Sequence, residues 1–168
     1  MLELPYGMEL KGEVSFKKDA YKTNLTFKED KALVKLDGAY QSQSEDYQIT
    51  VSIDSLQPNH FMPKDSLYWL TASAAIKGKG FDLYSARTSS LLQATISDIK
   101  YGRNSVSEIQ LNGRLKNHAY ELQLESGYPL ALLKASVSAS LQRKKAEMNR
   151  DAQVEHLNLY RLHLVDVP

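Results

Sequence analysis

The chain contains no cysteine. Disulfide frameworks, thiolate zinc sites and cysteine nucleophiles are therefore excluded. A chain without cysteine is compatible with both oxidising and reducing compartments, so its compartment is not determined. Long apolar runs are also missing. Stretches such as residues 130 to 133 fall far short of the roughly 18 residues that span a bilayer, and the first 20 residues hold no signal-peptide core. We therefore expect the chain as given to be soluble. The alternating start and still-apolar end predict a fragment of a longer protein.

An excess of charge of either sign is missing too. Lys and Arg number 21 against 20 Asp and Glu, so no broad field favours nucleic acid, and we expect no nucleic-acid partner. Hydrophobic residues make up 42%, with ten Tyr, and mean hydropathy is −0.43. This composition favours sheets with one wet face over sheets enclosed by helices. The length of 168 residues fits one continuous unit over residues 1 to 168.

Alternation with a period of two covers nearly the whole sequence, which predicts strands with one apolar and one polar face. Short polar connections, such as Lys17-Lys18-Asp19, separate the early strands. Because only antiparallel neighbours accept such tight links, the pattern predicts an antiparallel meander. Residues 57 to 65 hold two prolines and predict an irregular excursion, followed by a strand or, as the alternative, a short helix from Asp65. Turns are predicted at 127 to 129 and, as a turn or frayed edge, across 142 to 151.

Three strands end in a doublet of apolar residues three apart, namely Ile53 and Leu56, Ile96 and Ile99, and Val154 and Leu157. The doublets recur 43 and 58 residues apart. Such a recurrence is typical of stacked β units that share one apolar face, whereas a catalytic domain places unlike groups at unique positions. The repeat therefore favours a structural or binding protein.

Chemistry-bearing motifs are few. The four His, at 60, 118, 156 and 163, form no metal-ligand motif, and no Gly-x-Ser-x-Gly elbow accompanies the Ser-rich segments. Carboxylates such as Asp54, Asp98, Glu108 and Glu155 recur near the doublets, as solvating or turn-forming groups do. The sequence predicts no enzyme activity, no catalytic residues, no metal and no cofactor.

One resemblance adds to this interpretation. Asp98-Ile99-Lys100-Tyr101-Gly102 begins a strand, turn and strand that ends in Gly113-Arg114-Leu115-Lys116-Asn117. This run resembles the Gly-x-Leu-x-Asn sequence pattern of the TamB family, the translocation and assembly modules related to AsmA-like proteins. The segments 56 to 63 and 157 to 162 are similar to further parts of that pattern.

The resemblance implies an internal fragment of a periplasmic β-rich region in a Gram-negative cell envelope, from a protein anchored in the inner membrane. It implies a curled β sheet with an apolar trough, called a β-taco. The implied role is outer-membrane biogenesis, through phospholipid transport between membranes or through assistance to outer-membrane protein assembly and secretion. It carries no active-site residues over to this chain.

The expected fold is all-β, an antiparallel meander curled into an open trough with an apolar inner face; the alternative is a two-sheet β-sandwich. In the trough, the apolar side chains would hold phospholipid acyl chains, which need no directional partner. In the alternative function, a structural or protein-binding module pairs its edge strands with a client, and exposed edges also favour a dimer. The lipid-groove candidates are Val34, Leu36, Ile49, Val51, Ile53, Ala94, Ile96, Ile109, Leu111, Leu122, Leu124, Leu133, Val137, Leu141, Val154 and Leu157.

Overall fold

A computed structural model describes residues 7–64, 66–142 and 145–158. Most of these residues lie in ten β-strands, and a 3-10 turn at Pro58–His60 is the one helical element among them. No helix in this part of the chain is both long and apolar enough to cross a membrane. The strands are β1 Glu9–Lys17, β2 Ala20–Glu29, β3 Ala32–Gln41, β4 Asp46–Leu56, β5 Leu67–Lys79, β6 Ser89–Tyr101, β7 Asn104–Lys116, β8 Ala119–Ser126, β9 Ala131–Gln142 and β10 Lys145–Leu157.

The ten strands form one antiparallel sheet in which spatial order equals sequence order. Each strand pairs with the strand before it and the strand after it, so β1 and β10 are the two edges. Extensive packing between non-neighbouring strands is absent from the described residues, and the sheet stays open and uncurled. The predicted all-β antiparallel meander with an open apolar face is confirmed, but the sheet is uncurled where a curled trough was expected, and the two-layer sandwich does not form within this part of the chain.

Tight turns explain the meander. Lys18, Asp30 and Glu45 adopt positive φ between the first four strands, and Asn117 and His118 do so between β7 and β8. The two-residue hairpin loops at Lys18, Asp30 and Asn117 favour this geometry because its twist matches that of the flanking strands, whereas Glu45 ends a four-residue connection. The excursion predicted over 57 to 65 is present between β4 and β5, although residue 65 lies outside the described part. The strand after it, β5, rules out the helical alternative for residues 67 to 69.

Three strands carry irregularities that explain the apolar doublets. In a regular strand, residues three apart point to opposite faces. The pairing register shifts between Ile53 and Leu56 in β4, beside Ile96 in β6, and between Val154 and His156 in β10. Each shift is a β-bulge, which inserts one residue and returns the second member of the doublet to the face of the first.

Strand β10 corrects one prediction. Residues 145 to 151 belong to the strand, so the turn predicted across 142 to 151 is much shorter, and residues 143 and 144 lie outside the described part. The charged residues of this tract pointed to a turn. An edge strand meets water along its outer side and on its polar face, so it tolerates such charges.

Candidate functional site

The main surface feature is a continuous apolar face. In an antiparallel pair, residues directly opposite each other project from the same face of the sheet. Following these partners from β1 to β10 gives rows that cross all ten strands. The first row is Leu10, Phe27, Val34, Ile53, Ala72, Ile96, Ile109, Ser126, Leu133 and Val154. The second row is Gly12, Leu25, Leu36, Val51, Ala74, Ala94, Leu111, Leu124, Ala135 and Ala152.

Two further rows complete this face. The third row is Val14, Thr23, Gly38, Ile49, Ile76, Leu92, Gly113, Leu122, Val137 and Arg150. The fourth row is Phe16, Tyr21, Tyr40, Tyr47, Gly78, Ser90, Leu115, Tyr120, Ala139 and Met148. We call these four rows the apolar face. At usual strand spacing it is about 43 Å wide.

The structure places the predicted groove residues together. Fourteen of the sixteen candidates lie in the four rows. Leu157 pairs with Ala131 on the same face, beyond the β10 bulge. The side chain of Leu141 lies outside the described part. Their common face follows from the alternation, but their binding of lipid stays a prediction.

Within the described residues, no second protein layer covers the apolar face. Among the described residues, the buried hydrophobic side chains are Ala32 and Leu115 alone, while Leu10 is 70% and Val154 57% exposed. The chain exposes 12120 Å² of surface. A compact monomer of its 19.0 kDa mass would expose about 8,400 Å². The larger total area is what an open single-layer sheet, exposed on both its polar and its apolar face, leaves in contact with water.

The opposite face is polar, as the alternation predicts. One of its rows is Glu13, Asn24, Asp37, Thr50, Ala75, Gln93, Asn112, Gln123, Ser136 and Asp151. Asn24 donates a hydrogen bond from Nδ2 to Asp37 Oδ1 at 2.5 Å, and Lys134 Nζ lies 3.7 Å from Glu125 Oε1. These groups are solvated or paired across strands. The sheet therefore has one polar face and one apolar face.

Aromatic side chains border the apolar face at the fourth row. The ring centroids of Phe16 and Tyr21 are 4.7 Å apart, and those of Tyr21 and Tyr40 are 5.9 Å apart. Phe81, from the loop between β5 and β6, lies 5.7 Å from the ring of Tyr40 and stacks on Tyr47 at 5.2 Å. The rings of Tyr21, Tyr40, Tyr47 and Phe81 help line a cavity of about 510 Å³ over β1 to β5, with walls that are almost wholly apolar.

Backbone contacts hold Phe81 in place. The amide of Gly80, at φ +73°, donates to Glu45 O at 3.1 Å. The buried Thr88 donates from Oγ1 to Asp82 O at 2.6 Å. The loop is thereby tied both to the turn between β3 and β4 and to itself. Phe81 is still 62% exposed, so it forms an open margin of the cavity rather than a lid.

A second loop borders the other end of the strands. Phe61, just after the 3-10 turn, lies with its ring centroid 5.7 Å from that of Phe27 in the first row. His60 Nδ1 lies 2.7 Å from Oε1 of Glu29, at the end of β2. The loop thus places an aromatic ring beside the first row. Between the two loops, the middle rows remain open.

Groups suited to catalysis do not converge in the described residues. No cluster of three or more His, Asp or Glu that could hold a metal ion occurs there. The carboxylate of Glu9 has a lowered pKa because Lys11 donates a hydrogen bond to it and adds positive charge. Burial, followed by the neighbouring Tyr84, raises the pKa of Tyr120. Both effects are local, and neither group faces an acid or base partner across a cleft.

Sequence reasoning missed four kinds of residue at this site. Phe61 and Phe81 come from loops, which periodicity does not place. The Tyr residues of the fourth row belong to the alternation of their strands, so this signal could have found them. The charged residues around Arg150 predict a turn or frayed edge, whereas the structure places it on a strand face. Val106 lies opposite Ile99 on the apolar side and was also left out.

Comparison with protein-family models, with curated proteins and with solved structures finds no match to this chain. The resemblance to the TamB family therefore stays a prediction.

Proposed function

We propose that the apolar face binds the acyl chains of phospholipids and shields or conducts them between the inner and outer membranes of a Gram-negative envelope. The observation that supports the proposal is that largely apolar rows cross all ten strands and that no second layer covers them in the described part of the chain. The periplasmic location and the outer-membrane role come from the resemblance to the TamB family. No enzyme activity is needed for this function.

The physical match is between a long apolar strip and a flexible apolar chain. An acyl chain spans one leaflet, about half of the roughly 30 Å hydrocarbon core, and thus would cover only part of one row. Each buried methylene contributes about 0.8 kcal/mol without a directional partner. A chain could therefore move along the rows without losing specific hydrogen bonds, which fits conduction as well as storage.

The test is native mass spectrometry of the purified chain, with a β-sandwich protein of similar size as a reference. We expect co-purifying phospholipid in the wild-type protein and its loss in Val137→Asp and Ile96→Asp, which place a carboxylate on the apolar face. The matched controls, Ser136→Asp and Thr95→Asp, lie on the polar face of the same strands and should retain lipid. Circular dichroism checks that all four variants keep the sheet.

Retained lipid in a well-folded Val137→Asp protein would contradict the proposal. A lipid-free dimer that Val137→Asp dissociates would also contradict it, because a second copy would then be covering the apolar face. A lipid-free monomer would move the search to protein partners.

Edge pairing with a client protein is the second candidate function, and one observation favours it. All nine residues of β1 are exposed, and the outer side of this strand has no partner strand in the described residues. Such an edge can accept an added strand. Glu13→Pro in β1 would then abolish client binding, whereas Val137→Asp would leave it intact. Lipid binding has the reverse sensitivity, so the two variants separate the functions.

A further inference from the structure

One charged side chain stands out on the apolar face. Arg150 lies in the third row, directly opposite Val137, at the edge strand β10. It is the only charged residue among the forty positions of the four rows. The other charged residues of the paired strands lie chiefly on the polar face. A cation at this position is therefore an exception to an otherwise strict pattern.

The guanidinium of Arg150 has no anionic partner within the described residues. Its Nε donates to Met148 Sδ at 3.2 Å, a weak contact along the same strand. The ion pairs in this part of the chain join Lys11 to Glu9, His60 to Glu29 and Lys134 to Glu125. The remaining donors of the guanidinium are thus available to a ligand.

A ligand that covers this face also removes water from Arg150. Removing a cation from water is costly unless an anion and hydrogen-bond acceptors replace the water. The planar guanidinium matches phosphate and carboxylate oxygens through paired N–H groups, a geometry that lysine lacks. Binding of an uncharged apolar ligand would therefore carry the full free-energy cost of removing water from the guanidinium. An anionic amphiphile would offset that cost with its own charge and acceptors.

We infer that the apolar face prefers amphiphiles with an anionic headgroup, with Arg150 binding the phosphate or carboxylate while the chain lies across β9 and β8 toward β7. This inference rests on the proposed acyl-chain function. Because Arg150 lies at the edge of the sheet, a headgroup bound to it can extend into solvent. Val137 and Leu122, the next members of the third row, would contact the first methylenes.

The experiment compares three probes on the full chain by isothermal titration calorimetry: hexadecyl phosphate, hexadecanol and inorganic phosphate. We expect hexadecyl phosphate to bind roughly three- to tenfold more tightly than hexadecanol, and inorganic phosphate alone to bind too weakly to detect. Arg150→Gln should remove the preference and leave hexadecanol affinity unchanged. Arg150→Lys should restore part of it. Lys134→Gln, a cation lost from the polar face of β9, is the matched control and should change nothing.

The outcomes separate this inference from the proposed function. Equal affinity for the two amphiphiles in the wild-type protein would overturn the role of Arg150 and leave acyl-chain binding intact. Binding of neither amphiphile would overturn both. If inorganic phosphate bound tightly and Arg150→Gln abolished that binding, Arg150 would belong to a site for free anions. The inferred placement of a lipid headgroup at Arg150 would then be overturned. Self-association of Arg150→Gln with an unchanged headgroup preference would assign Arg150 to protection of the edge strand, as inward-pointing charges do elsewhere.

Discussion

Glu29 and His60 join the end of β2 to the 3-10 turn, with Oε1 and Nδ1 separated by 2.7 Å. The Glu29 side chain is only 5% exposed, and its Oε2 is buried without a partner among the described residues. His60 is therefore the principal partner of a buried carboxylate. This pair holds the loop that carries Phe61 against Phe27.

We expect His60→Ala to destabilise the protein by about 1 to 3 kcal/mol, because a buried acceptor loses its partner. Urea denaturation followed by circular dichroism measures the free energy of unfolding. Lys64→Ala, an exposed position in the same loop, is the control and should have little effect. Unchanged stability in His60→Ala would mean that water replaces the imidazole at no cost.

The bulge in β4 gives a second prediction. Ser55 has φ +57°, a left-handed conformation that is costly for residues with a Cβ atom. Ser55→Gly should stabilise the protein by about 0.5 to 1 kcal/mol, whereas Ser52→Gly, in the regular part of β4, should destabilise it by a similar amount. Thermal unfolding of the two variants checks the difference. Equal effects would show that the bond from Ser55 Oγ to Asp54 Oδ1 offsets the backbone cost.

The strands and their order could be predicted from the sequence because alternation is a local signal. Val137, for example, lies between Ser136 and Ser138, and this contrast alone assigns its face. The three-residue spacing within each doublet also carries information about local strand geometry. Residues such as Ile53 and Leu56 can both lie on the apolar side only if a bulge separates them, so the odd spacing predicts a bulge in each strand.

Whether the apolar face is covered could not be predicted from the residues alone. A sandwich and an open sheet share the same alternation, because periodicity reports that one face avoids water but not what excludes the water. The loop aromatics were missed for a related reason. Phe81 reaches Tyr40 and Tyr47 through contacts between residues far apart in the chain. Arg150 was missed because its charged neighbours favoured a turn over an edge strand.

Gly78 gives a third prediction, since it lies under the ring of Tyr47. A Cβ atom at this position would collide with the Tyr47 ring and with the backbone carbonyl of Ser89. Gly78→Ala should therefore destabilise the sheet by about 1 to 3 kcal/mol. Gly113→Ala is the matched control, because its nearest neighbours, Leu92 Cβ at 3.3 Å and Leu122 Cδ1 at 3.4 Å, need to move by only a few tenths of an ångström. Equal denaturation midpoints would show that the Tyr47 ring moves aside freely.

Tyr120 gives the last prediction, which concerns alkaline pH. Its hydroxyl is buried without a partner in the described residues, and burial together with Tyr84 raises its pKa above 10.0. The folded state then holds this proton more tightly than the unfolded state. The resulting contribution to stability is complete below the unfolded pKa and is lost as pH rises through the folded one.

We therefore expect Tyr120→Phe to lose less stability than the wild-type protein between about pH 9 and about pH 11. Near neutral pH, removal of the unpaired hydroxyl should leave stability unchanged or slightly raised. Urea denaturation across this pH range provides the measurement. Tyr101→Phe, at a 58% exposed tyrosine, is the control and should follow the wild-type curve. If Tyr120→Phe also follows that curve, the hydroxyl ionises as readily in the folded sheet as in the unfolded chain, and the fourth row is wetter at β8 than its geometry implies.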